Sequence, residues 1–135
     1  AAGEHPLQVA MARNVIRHAE QAPIREAAGF QRRVYVGAGG IESETCRKEM
    51  YAVPAGVGVQ PYARDVEDAL MVLEGSLVVG WEENGETVEM ELGPRDLVFN
   101  PAGRAHWFRN AGVGPCTAWA VVGDAGAERV SFVGR

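Results

Sequence analysis

Asn84-Gly85, set between the runs Ser76–Glu83 and Glu86–Leu92, constrains this chain more than any other local feature. Both residues accept the positive φ that a two-residue type I′ turn needs, so the flanking runs are expected to pair as a hairpin. In the second run Val88, Met90 and Leu92 alternate with Glu89 and Glu91, which predicts one packed face and one wet face. Upstream, Ala69 to Leu73 is continuously apolar, as in a strand buried on both faces, and Gly75 permits a close turn. Arg33–Val36, Glu49–Val53, Leu97–Phe99, Ala105–Asn110, Thr117–Val122 and Arg129–Val133 read as further strands. Turn formers separate them at short intervals, from a chain stock of 17 Gly and 7 Pro. About ten short strands with such punctuation predict an all-β barrel or sandwich.

A length of 135 residues with 47% apolar content suits one domain with a real core. The net charge of −5 argues against nucleic acid as a partner, and Arg32-Arg33 and Arg47-Lys48 are too short to make a basic patch. No apolar run approaches the ~20 residues of a membrane-spanning helix, and the Ala-Ala-Gly start lacks the pattern of a signal peptide. Cys46 and Cys116 lie far apart and outside any C-x-x-C pattern, which reads as two reduced thiols in a cytoplasmic protein. Residues 1–30 are the least determined. Pro6–Ala19 fits an extended arm or a short helix, and Gln21–Phe30 is broken by Pro23 and Gly29.

Two stretches carry chemistry. Pro101-Ala102-Gly103-Arg104-Ala105-His106-Trp107-Phe108-Arg109-Asn110 has the form P-x-G-x-x-H-x-x-x-N, a tight turn and then a strand with one histidine. Upstream, Gly56, Tyr62, Arg64, Asp68 and Gly75 keep every spacing of the frame G-x5-H-x-H-x3-E-x6-G. Together these stretches resemble the two signatures of the cupin family, small antiparallel β-barrels that often hold a metal in the barrel mouth. The resemblance covers residues 45–125 best. It implies a double-stranded β-helix, a jelly-roll-like antiparallel barrel, over residues 31–135, with residues 1–30 as an N-terminal arm. It also implies a homodimer in which that arm adds a strand to the partner's sheet. Asp96 stands where cupins commonly place an Asp, while Arg95 replaces the glycine before it.

The departures from the family pattern matter as much. Tyr62 and Arg64 occupy the places of two histidine ligands, and Asp68 that of a glutamate. Strand parity puts Tyr62 with Arg64, and His106 with Phe108, on common faces. The resemblance implies that Tyr62, Arg64, Asp68 and His106 converge inside the barrel. Arg cannot donate an electron pair and would repel a divalent cation. Three uses of the pocket stay open. In the first, no cofactor is needed and a small anionic or oxygen-rich molecule undergoes proton transfer, as in an isomerase, epimerase, cyclase or lyase. His106 is then base or acid, Asp68 its orienter, Tyr62 a second acid, Arg64 the anion clamp, and Gln60 and Phe108 further substrate contacts. The second is a metal-dependent dioxygenase or isomerase with Fe, Mn, Ni or Zn on His106, Asp68 and Gln60. The third is a non-catalytic sensor or binding module that holds a ligand without converting it. Set against all three is an inert reading, in which Arg64 and Asp68 form a buried ion pair that plugs the barrel. Asn110 is expected to hold the loop after its strand.

Overall fold

The computed structural model describes residues 14–123 and 130–132. Its strands are β1 (Ile24–Arg25), β2 (Gln31–Val36), β3 (Cys46–Val53), β4 (Tyr62–Arg64), β5 (Asp68–Glu74), β6 (Leu77–Glu83), β7 (Glu86–Leu92), β8 (Leu97–Asn100), β9 (His106–Arg109), β10 (Cys116–Gly123) and β11 (Val130–Phe132). They form two antiparallel sheets, of order β1-β2-β3-β10-β5-β8 and β11-β4-β9-β6-β7, packed face to face as a jelly roll. The all-β barrel expected from the sequence is the fold observed.

Residue types explain the local choices. Asn84 (φ 52) and Gly85 (φ 81) make the two-residue turn, and β6 and β7 pair from Leu77↔Leu92 to Glu83↔Glu86. Along β3 the pleat alternation buries Glu49, Tyr51 and Val53, and along β10 it buries Cys116, Ala118, Ala120 and Val122. Val72, Leu77, Val79 and Phe108 close the core between the sheets. Each fully buried aliphatic side chain contributes about 2 kcal/mol by leaving water.

Two burial expectations are corrected. Ala69 to Leu73 is not buried on both faces. Leu70 and Val72 point into the core, while Leu73 is exposed, because β5 lies in a two-layer sandwich whose outer face meets solvent. In β7 only Leu92 is buried, and Met90 is 56% exposed, because β7 is the edge of its sheet and runs past the core.

Of residues 1–30, residues 1–13 lie outside the described part, so most of the Pro6–Ala19 segment does too. The rest makes two short 3-10 turns, His18–Glu20 and Ala27–Gly29, around β1, which pairs with β2 of the same chain. Phe30 then enters the core, edge-on to Tyr51 and Phe108. Cys46 and Cys116 are both free thiols. No helix among the described residues is long and apolar enough to cross a membrane.

Candidate functional site

The first motif opens the site. Gly56 (φ 80) turns the chain into β4, which sends Tyr62 and Arg64 inward. After a short turn β5 begins on Asp68, four residues beyond Arg64, so the two side chains meet. The second motif adds β9, where Tyr62 and His106 are direct cross-strand partners. Their rings lie 4.3 Å apart. Tyr62, Arg64, Asp68 and His106 are therefore contiguous and buried.

Asp68 is the hub of this group. Its Oδ2 accepts from Arg64 Nε at 2.9 Å, and its Oδ1 accepts from Asn100 Nδ2 at 2.7 Å. His106 Nδ1 donates to the Arg104 carbonyl at 3.0 Å, which sets its tautomer and turns Nε2 toward Asp68 Oδ2 at 3.3 Å. That second approach is too poorly aligned for a hydrogen bond. Burial pushes the Asp68 carboxyl up, but His106, Asn100 and Arg64 outweigh it and hold the group below the usual carboxylate range. Burial likewise pushes the Tyr62 phenol up to about 12, against the pull of Arg64.

The free space that Asp68 and His106 share with Tyr62 and Arg64 is about 10 Å³, room for no more than one water. The large opening lies elsewhere. A cleft of about 860 Å³ runs between β2–β3 and β4–β9. Tyr62, Arg64, Gln60 and Phe108 line it, whereas Asp68 and His106 do not. Phe108 stacks on Tyr51, with ring centroids 5.9 Å apart, and gives the cleft an apolar floor.

The sequence reading missed the opposite wall. Glu49 on β3 is fully buried, and its Oε2 binds Arg32 at 2.9 Å and also Arg47. Arg32 reaches Glu26 as well, at 2.8 Å. The one available signal was parity, which aligns Arg47 and Glu49 with Tyr51 and Val53 on an otherwise apolar inner face. Asn100 had no signal, because only the pairing of Asp68 with Asn100 across β5 and β8 brings it in.

The motif positions do not fit a divalent metal. The Arg64 guanidinium stands at a ligand position and bonds the carboxylate that a cation would need. Gln60, expected as a third donor, lines the cleft and not the small space shared by Asp68 and His106. Among the described residues no three His, Cys, Asp or Glu side chains gather.

A two-signature barrel with a polar cluster at the mouth defines a cupin, and a cupin-domain family model matches residues 49–122. The chain belongs to the cupin family. No curated protein matches it. Among solved structures it is similar to Peruvianin-I, a cysteine peptidase from Thevetia peruviana latex, at TM-score 0.77 and 20% identity over 97% of this chain and 83% of that one. It is similar to the polyketide cyclase RemF from Streptomyces resistomycificus at TM-score 0.75 and 20% identity, over 90% of this chain and 86% of that one. It is also similar to the DMSP lyase DddQ from Ruegeria pomeroyi DSS-3 at TM-score 0.72 and 21% identity, over 85% of this chain and 62% of that one. These likenesses carry the fold.

Proposed function

We propose that this cupin binds a small anionic or oxygen-rich molecule in the cleft between its sheets and acts on it by proton transfer without a resident metal. The observation that carries the reading is the cleft of about 860 Å³, whose one wall presents Arg64, Tyr62 and Gln60 above the apolar Phe108. Arg64 offers a planar fork of donors for a carboxylate or enolate oxygen. Tyr62, protonated at neutral pH, offers a hydrogen bond or a proton to a developing oxyanion. Asp68 and His106, which do not line the cleft, act as positioning residues that hold Arg64 and the Tyr62 ring in place. An isomerase, epimerase, cyclase or lyase fits this set of groups, and a cyclase and a lyase stand among the similar structures.

One observation favours the reading of a binding module without turnover. Both His106 nitrogens face protein oxygens and the residue is not part of the cleft lining, which sets this proton carrier apart from a ligand held there.

A screen of small carboxylates by calorimetry tests the binding reading, with Gln60→Ala and Arg64→Lys as variants. Gln60 is exposed, so its loss leaves the fold intact and is expected to weaken binding a few-fold. Arg64→Lys keeps the charge and removes the fork, and is expected to cost tenfold or more. Unchanged affinity in both variants places the ligand elsewhere. Conversion of the bound molecule separates enzyme from binding module. The homodimer suggested by the family resemblance is tested by mass in solution, where the 14.5 kDa of a single chain removes it.

A further inference from the structure

Glu49 lies midway along β3, has no exposed surface, and yet forms part of the cleft wall. Its two oxygens are used differently. Oε2 is held by Arg32 and Arg47, whereas Oε1 is buried and accepts no hydrogen bond among the described residues. A buried carboxylate oxygen without a donor is costly, and folded proteins keep one chiefly where something else supplies the donor. The sheet does not. The register places Val34 on one side of Glu49 and Ala120 on the other, and neither side chain can donate. Glu49 also lines the cleft, where a bound molecule can supply the donor.

We propose that Glu49 Oε1 is the acceptor for a hydroxyl group of the bound ligand, and so a specificity-determining residue of the site. This rests on the cleft being the ligand site, as proposed above. The ligand then carries two unlike ends. An acidic oxygen meets Arg64 on β4, and a hydroxyl donor meets Glu49 on β3. Phe30, Tyr51 and Phe108, packed ring to ring between the two walls, suit a flat apolar body joining those ends. The substrate class is a hydroxylated aromatic acid or its enol equivalent. A molecule whose hydroxyl is capped presents no proton to Oε1 and leaves that oxygen buried and unpaired, which is why the site rejects it.

A hydroxynaphthoate and its methyl ether, titrated by calorimetry into the wild-type protein and into Glu49→Gln, test this. The wild type is expected to bind the hydroxyl compound about tenfold or more tightly than the ether. In Glu49→Gln the arginines hold the amide oxygen, so the NH₂ takes the place of Oε1 and presents a donor in place of an acceptor. The preference is then expected to vanish or invert. Equal affinities in the wild type, or a preference that survives Glu49→Gln, overturn the role of Glu49 and leave the cleft reading standing. Failure of both probes to bind the wild type overturns the cleft reading together with it. Should Glu49→Gln not fold, a crystal structure of the wild-type complex decides. A ligand hydroxyl within about 3 Å of Oε1 is expected, and a ligand seated in the cleft with its hydroxyl elsewhere overturns the assignment.

Discussion

Asp68 joins three side chains that come from different strands, so its loss is felt beyond one contact. Asp68→Ala removes the buried carboxylate that Arg64 and Asn100 both bond and is expected to cost about 3–5 kcal/mol in urea unfolding. Replacing Arg64 and Asp68 together with apolar residues of similar volume is expected to recover most of that loss. Because the folded carboxyl is held below its ordinary value of 3.8, its contribution is fully present above about pH 4 and lost as pH falls through the lowered value. The stability gap between wild type and Asp68→Ala should therefore narrow in acid, and a gap that stays constant to pH 2 removes this account. Tyr62 behaves in the opposite sense at the alkaline end. Its folded phenol is pushed up to about 12 from 10, so the fold loses stability as pH rises from 10 toward 12. Tyr62→Phe is expected to flatten part of that loss in thermal melts. Legibility at this scale was partial. Motif spacing alone picked out Tyr62, Arg64, Asp68 and His106, but that spacing carried no information on which side of Arg64 the open space lies. Glu49 passed unnoticed because a single charge in a short strand has the same appearance whether it faces solvent or a cleft.

Elements here are joined by a few buried polar groups rather than by long loops. Asn110, 1% exposed, donates through Nδ2 to the carbonyls of Val53 and Gly114 and accepts from Gly112 N–H through Oδ1. It thus ties the end of β3 to the loop between β9 and β10, the role its place in the second motif suggested. Asn110→Ala strands these groups and is expected to cost about 2–4 kcal/mol, read as a shift of the unfolding midpoint. Arg95 shows a place where this chain departs from its family. It sits at φ 74, in the region that favours glycine, with its N–H on the Val72 carbonyl at 2.7 Å. The backbone takes a conformation that suits glycine although the residue is arginine, so Arg95→Gly is expected to stabilise the fold by about 1 kcal/mol. Strand existence was legible because period-2 patterns and turn formers are local. Burial at the edges was not, since Met90 and Leu73 are exposed through the position of their strands in the sheets.

On the scale of the whole molecule, the two sheets close over one core and leave a single large gap, between β2–β3 and β4–β9 among the described residues. Protein purified without chelators or a metal-affinity tag is expected to carry well under one transition metal per chain by plasma mass spectrometry. A value near one would show that ligands outside the motif positions hold it and would overturn the metal-free reading. The sequence by itself determined the β architecture, the hairpin at Asn84-Gly85, the family, and the four side chains that meet at the barrel mouth. Those follow from alternation, turn chemistry and fixed spacing, which act over a few residues and survive in any context. Only the tertiary structure decided that Asp68 and His106 lie off the cleft that Arg64 and Tyr62 line, and that Glu49 lines its other wall. Depth and direction depend on how two sheets pack, and β3 and β4 belong to different sheets whose separation no local pattern encodes.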